Sequence, residues 1–148
     1  MSQAAQAVDC FKEGFNCAQA ILSTYGMQFD LNRDIAFKIA SGFGGGMGRS
    51  GRTCGAVTGA FMIIGLQFGN VVSDDSKAKE AAYNTVMEYI RKFELRRGSI
   101  KCKDLIQYDL SNPKELTLAR ENNVFHTVCT EIVQDASEIL EEILKEKM

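Results

Sequence analysis

A single proline in 148 residues, together with apolar residues spaced three and four apart, constrains this chain more than any other sequence feature. Proline interrupts helices and strands, so long uninterrupted elements are allowed almost everywhere except at Pro113. Val, Ile and Thr never alternate with polar residues in the way that a half-buried strand requires. The sequence therefore predicts an all-α fold, a compact single-domain bundle of about five to seven helices over residues 1–148.

Apolar periodicity and capping residues locate the individual helices. They are expected over Ala4–Tyr25, about Asn32–Ala40, about Arg52–Phe68, about Asp75–Arg97, from Pro113 onward, and from Phe125 almost to the C-terminus. A glycine-rich loop, residues 42–51, precedes the third of these helices. That third helix is apolar on most sides, which predicts a buried position at the centre of the bundle.

Charge and hydropathy exclude several classes of protein. The 17 Lys and Arg residues are balanced by 19 Asp and Glu residues, so no domain-wide positive field favours nucleic acid as a partner. The opening residues MSQAAQAVDC lack the basic and apolar regions of a secretory signal. The longest apolar run is shorter than the roughly 20 residues that a membrane span needs. We therefore expect a cytoplasmic protein with no membrane span, and self-association into a homo-oligomer stays open.

A basic stretch lies between Arg91 and Lys103, where six Lys and Arg residues accompany the single acid Glu94. The C-terminal helix carries Glu138, Glu141 and Glu142, so the sequence predicts that the two helices pair through their charges. The alternative is a docking surface for an acidic partner.

The five cysteines raise the main functional question. In a reducing compartment they do not suggest a static disulfide framework, and no CxxC pair marks a zinc or ferredoxin-type site. Cys17, Cys54, Cys102 and Cys129 fall on or beside different predicted helices. Any shared site must therefore be assembled by tertiary packing, and the alternative is that each cysteine fills the core separately.

Cys54 departs most from a simple core role. It follows the glycine-rich loop, and Ser50 or Thr53 is placed to cap the next helix, so its sulfur is expected near unpaired N–H groups of the first turn. Such a position lowers the pKa of a cysteine, and Arg49 and Arg52 are close enough in sequence to add to the effect.

Gly55 and Gly59 lie one helical turn apart, so one side of the central helix carries no side chains at these two positions. Another backbone, a thiol or a cofactor can approach the helix closely there. Tight helix packing is the simpler explanation.

His126, the only histidine, lies three residues before Cys129, a spacing that predicts one shared helix face. An imidazole there can act as a base, as a partner of a thiolate or as an additional metal ligand. The alternative is a boundary residue satisfied by a backbone carbonyl. Cys10 lies seven residues before Cys17 and is expected to be apolar filler.

The glycine-rich loop contains the letters of GxGxxG, but it follows a predicted helix and not a strand, so a dinucleotide-binding fold is not predicted. Successive glycine N–H groups and two arginines can instead hold an anion or cofactor at a helix N-terminus. The candidate binding residues are Gly46, Gly48, Arg49, Gly51 and Arg52.

Two segments resemble a known family. They are Gly14-Phe-Asn-Cys17-Ala-Gln-Ala20 and Gly44-Gly-Gly-Met-Gly-Arg-Ser-Gly-Arg-Thr-Cys54-Gly-Ala-Val-Thr-Gly-Ala60, followed by two isolated cysteines. This pattern resembles the C_GCAxxG_C_C family of small proteins regarded as redox-active. The resemblance implies that Cys17, Cys54, Cys102 and Cys129 are the family cysteines, and Cys10 is extra. Some members of the family are reported as selenoproteins, which implies reactive sulfur or selenium chemistry.

Three hypotheses follow. The first is a redox protein, and a candidate thiol oxidoreductase, in which the four cysteines carry thiol-disulfide or related electron-transfer chemistry without a cofactor. Cys54 is then the most activated thiolate, Cys17 its resolving partner, and Cys102 with Cys129 a second couple or its support; the substrate is an unknown redox partner or small molecule. The second is a zinc or iron-sulfur module with the same four cysteines as ligands. The third is a non-catalytic adaptor with packing cysteines.

Overall fold

Eight α-helices joined by short connections form the chain, and a computed structural model describes residues 1–148. The helices are α1 Gln3–Lys12, α2 Cys17–Gly26, α3 Arg33–Ala40, α4 Gly55–Phe68, α5 Ser76–Arg97, α6 Cys102–Ile106, α7 Pro113–Glu121 and α8 Val128–Lys147. Strand-like pairing is limited to one isolated bridge between Thr53 and Lys101. No helix is both long and apolar enough to cross a bilayer. The predicted all-α class is confirmed.

The predicted continuous helix Ala4–Tyr25 is wrong, because the chain breaks between α1 and α2. Gly14 adopts a φ of +117°, which no right-handed helix allows. Asn16 then starts α2 by accepting a hydrogen bond from the backbone N–H of Gln19 at 2.8 Å. This break, together with the single-turn helix α6, brings the number of helices to eight instead of five to seven.

Side-chain caps and a glycine mark the ends of three further helices. Asn32 caps α3, Asp75 caps α5 and Gly98 ends α5 in the left-handed conformation. Asn112 caps α7 and Pro113 is its first residue, so this helix starts where the sequence predicted.

Helix α4 lies at the centre of the core, which is one cluster of 29 buried residues. Its N-terminal half packs on α2 at very short range. A methyl group added to Gly59 would lie 3.0 Å from Ile21 Cβ and 3.1 Å from the carbonyl oxygen of Ala18, and one added to Gly55 would lie 3.1 Å from the Ala18 nitrogen. The two glycines therefore allow the backbones of α2 and α4 to touch. Tight helix packing, the simpler explanation of their spacing, accounts for them.

Helices α5 and α8 run side by side and pair through their charges, so the basic stretch is partly neutralised within the molecule. Of the three predicted acidic partners, Glu138 and Glu142 form salt bridges and Glu141 does not. Asp135, which was not predicted, forms salt bridges as well. The shortest contacts are Lys92–Glu142 at 2.6 Å, Arg97–Asp135 at 2.6 Å and Arg96–Glu138 at 3.0 Å.

We expect Gly59→Ala to lower the free energy of unfolding by about 1–3 kcal/mol, because the added methyl group must push α2 away from α4. Gly65→Ala is the matched control, since Gly65 lies in the same helix with open space around it. That change should raise the free energy of unfolding by about 0.5–1 kcal/mol, because alanine favours helix. Denaturant titration measures both values. Equal stabilisation by the two substitutions would contradict a tight α2–α4 contact.

Candidate functional site

One cavity of about 540 Å³ is lined by all four cysteines that the sequence singles out, Cys17, Cys54, Cys102 and Cys129. Each comes from the N-terminal turn of a different helix. Cys17 and Cys102 are the first residues of α2 and α6, Cys54 is the N-cap of α4, and Cys129 is the second residue of α8. Helix packing therefore gathers residues that are far apart in the chain.

Cys17 is positioned by a capping box, a feature that the sequence analysis missed. The side chain of Gln19 accepts a hydrogen bond from the Asn16 backbone N–H at 2.9 Å, while the Asn16 side chain caps Gln19 in return. The same two side chains donate to carbonyl oxygens at the end of α3, including Phe37 at 3.0 Å and Ser41 at 3.1 Å. The spacing of an asparagine and a glutamine three residues apart was the available signal.

Cys17 immediately precedes Ala18 of α2, and Cys54 immediately precedes Gly55 of α4. Because Ala18 and Gly55 are in contact, the two cysteines lie side by side. Cys54 is itself the N-cap, so the expectation that Ser50 or Thr53 caps this helix is wrong.

Cys102 reaches the site through a short extended pairing. The backbone N–H of Cys54 donates to the Ile100 carbonyl at 2.7 Å, and the N–H of Cys102 donates to the Arg52 carbonyl at 2.6 Å. Gly46 makes room for this approach, because a methyl group there would lie 2.7 Å from Cys102 Cβ. Residues 52–54 are therefore extended, which explains why α4 starts later than the predicted Arg52.

Cys129 enters from α8, whose first residue is Val128 and not Phe125 as predicted. His126 consequently lies in the turn before the helix and does not share a helix face with Cys129. It is exposed and lines the cavity.

The glycine-rich loop forms a left-handed turn beside the cysteines. Five consecutive residues, Gly45, Gly46, Met47, Gly48 and Arg49, have φ between 63° and 69°. Glycine adopts this conformation freely, whereas each other residue type pays about 1–2 kcal/mol. The strained backbone at Arg49 is thus held by the loop around it.

Only part of the predicted anion-binding set lies at the cavity. Gly46, Gly48 and Arg49 line it, whereas Gly51 and Arg52 do not. The backbone N–H groups of residues 48–52 donate to carbonyls of the same loop, from residues 42 to 47. These donors are therefore already engaged within the loop.

Cys54 is the cysteine whose pKa lies below the ordinary value. The neighbouring thiol of Cys17 lowers it most, by hydrogen bonding to the thiolate, while burial acts in the opposite direction. The N–H groups of Ala56 and Val57, in the first turn of α4, lower the pKa further, although Cys54 Sγ makes no capping hydrogen bond of normal geometry. The site therefore favours a thiolate at Cys54.

Cys17 and Cys102 are held as thiols. Interactions with Cys129 and then with Cys54 raise the pKa of Cys17 well above the ordinary value, and burial raises it further. Burial raises the pKa of Cys102 to about 12, with the charges of Cys54 and Cys129 adding to the effect. Cys54, Cys102 and Cys129 are only 5–7% exposed, while Cys17 is half-buried.

Cys10 does not line this cavity. It is buried with its sulfur 3.7 Å from the hydroxyl of Ser23, and burial raises its pKa. Its placement agrees with the expected role as core filler.

The side chains do not form a ready-made metal centre. No three His, Cys, Asp or Glu side chains are arranged to hold a metal ion. The four sulfurs share a cavity but do not converge as ligands around one point.

Comparison with known proteins identifies the family to which the chain belongs. Residues 15–143 match the model of the C_GCAxxG_C_C family, described as "Putative redox-active protein". The chain is a member of that family, as its cysteine pattern predicted. It is 28% identical over 150 residues to an uncharacterized protein of Archaeoglobus fulgidus, with 96% of this chain and 93% of the relative covered. No solved structure matches the chain significantly.

Because Cys17 is the main cause of the low pKa of Cys54, Cys17→Ala should raise the pKa of Cys54. Cys17→Ser keeps a hydrogen-bond donor and should raise it less. The rate of alkylation of Cys54 against pH, followed by mass spectrometry of the Cys54 peptide, reports the fraction of thiolate. In the wild type the rate should reach half its plateau below the pKa of a free cysteine. An unchanged midpoint in both variants would contradict the assigned interaction.

Proposed function

We propose that the protein carries out thiol-disulfide exchange, with Cys54 as the attacking thiolate and Cys17 as the resolving thiol. The observation that carries the proposal is the placement of Cys17 and Cys54 next to each other in one cavity, where the pKa of Cys54 is lowered and the pKa of Cys17 is raised. Thiolates, not thiols, are the nucleophiles of disulfide exchange.

The exchange proceeds in two substitutions at sulfur. The Cys54 thiolate attacks one sulfur of a disulfide substrate, whose S–S bond breaks, so that a mixed disulfide forms and half of the substrate leaves as a thiolate. Cys17 then loses its proton to solvent and attacks the sulfur of Cys54, forming the Cys17–Cys54 disulfide and releasing the second half. The two protein thiols lose two electrons, which the substrate disulfide gains.

The change of charge during the reaction favours this order. While Cys54 is a thiolate, its negative charge helps to keep the proton on Cys17. Once Cys54 is in a mixed disulfide that charge is gone, so the pKa of Cys17 falls and the resolving thiolate forms more readily.

We assign Cys102 and Cys129 a supporting role. Cys129 interacts with Cys17, and the high pKa of Cys102 keeps it neutral beside the reacting pair.

The adaptor hypothesis has less support, since half of the cations of the basic stretch that would recruit an acidic partner, Lys92, Arg96 and Arg97, are engaged with α8. Zinc or iron-sulfur binding would need the four sulfurs to move toward one point, and it is kept as an outcome of the test.

The test is oxidation of the reduced protein with a small excess of a disulfide, followed by peptide mapping of the disulfide formed. We expect one dominant bond, between Cys17 and Cys54. Cys54→Ser should abolish it, and Cys17→Ser should trap the mixed disulfide on Cys54 because the resolving thiol is missing. Cys10→Ser is the matched control and should form the same bond as the wild type.

Two results would overturn the proposal. One is a dominant disulfide that excludes Cys54. The other is stoichiometric zinc or iron in protein purified without oxygen and lost in cysteine variants, which would support the metal-binding alternative.

A further inference from the structure

The Lys, Arg, Asp and Glu side chains that line the cavity are all of one sign. Three cationic side chains line it, from Lys12, Arg49 and Arg120, and no Asp or Glu does, although the whole chain has a net charge of −2. Such a lining concentrates positive potential in the cavity and raises the local concentration of small anions.

These three cations have no ion-pair partner within the molecule. The cations of α5 that form salt bridges, Lys92, Arg96 and Arg97, each have two carboxylates of α8 within reach. No salt bridge involves Lys12, Arg49 or Arg120, so their charges are free to meet a ligand at the cavity.

Arg49 adds a second observation. It occupies the fifth left-handed position of the glycine-rich loop, where glycine would be favoured, and its side chain packs against Gly45 at the cavity. A charged residue kept in an unfavourable backbone conformation at a site is a reason to look for a functional role of its side chain.

The size and apolar character of the cavity limit what it can hold. Its volume of about 540 Å³ lies within the range of cavities that hold small organic molecules, and 12 of its 25 lining residues are hydrophobic. Phe11, Leu116 and Phe125 belong to this apolar lining. A ligand with a short carbon chain and terminal acids matches both parts of the lining.

We propose that the substrate of the Cys54–Cys17 couple is a small organic disulfide that carries carboxylates, bound through Arg49 and Arg120 with its S–S bond at Cys54. This inference rests on the proposed function and adds the chemical class of the substrate. Two carboxylates on either side of a disulfide would place negative charge near the guanidinium groups, which bind carboxylates with paired hydrogen bonds.

The test compares three aliphatic disulfides of similar size: dithiodipropionate, which is doubly negative, bis(2-hydroxyethyl) disulfide, which is neutral, and cystamine, which is doubly positive. The second-order rate of Cys17–Cys54 disulfide formation is measured for each at one pH and low salt. Each rate is divided by the rate of the same disulfide with 2-mercaptoethanol, which removes intrinsic differences in reactivity. We expect the anionic disulfide to exceed the neutral one by roughly 10-fold or more, with cystamine slowest.

Charge-removing variants then locate the effect. Arg49→Gln and Arg120→Gln should each lower the ratio of the anionic rate to the neutral rate, and the double variant should bring it close to one. This ratio cancels any change in the thiolate fraction of Cys54. Arg91→Gln is the matched control, because it removes one exposed cation of α5 that does not line the cavity. Added salt should also lower the wild-type ratio.

The outcomes separate this inference from the proposed function. Equal normalised rates for the three compounds, or a preference for cystamine, would overturn the inference and leave the Cys54–Cys17 couple in place. An anionic preference that survives in the double variant would overturn the assignment to the two arginines. Failure of all three compounds to oxidise the couple would overturn both proposals.

Discussion

The contact of α2 with α4, backbone against backbone, is the constraint on which the rest of this structure depends. It exists because Gly55 and Gly59 present no side chain to Ala18 and its neighbour Ile21. Cys17 and Cys54 each precede a residue of this contact, so the packing that closes the core also sets two sulfurs side by side. The glycines of the CGAxxG pattern therefore position its cysteine beside Cys17.

The electrostatic environment differs among the cysteines of the cavity, although the sequence alone does not tell them apart. Burial disfavours any thiolate, and several thiolates in one cavity would repel each other. The first turn of α4 and the Cys17 thiol compensate a single negative charge, at Cys54, while the pKa values of Cys17 and Cys102 rise. Of the cysteines in the cavity, Cys54 is therefore the one whose thiolate is favoured, and the Lys and Arg side chains that line the cavity carry positive charge.

The parts of the fold that could be predicted from the sequence are those that local residue patterns determine. The capping residues Asn32, Asp75 and Asn112 locate three helix starts, and the apolar character of α4 indicates its central place. The break before α2 was missed because the apolar stripe continues across it in register, although Gly14 and the Asn16 capping box both mark it.

The late start of α4 and the placement of Cys102 depend on the pairing of residues 52–54 with residues 100–102, a contact between distant segments that no local pattern reveals. The meeting of the four sulfurs has the same origin. The family resemblance indicated which cysteines belong together, and the glycine-rich loop pointed to Arg49. Arg120, and the lack of ion-pair partners around both arginines, emerge only from the folded chain.

Since every sulfur of the cavity comes from a different helix, no fragment of the chain can carry the site. On the ribosome, α8 and Cys129 are synthesised after α2, α4 and α6, so the four-cysteine cavity is complete only when the last helix packs. The two sulfurs of the proposed couple, Cys17 and Cys54, come from α2 and α4 and are in place earlier in the chain. The cavity that surrounds them is a property of the whole fold.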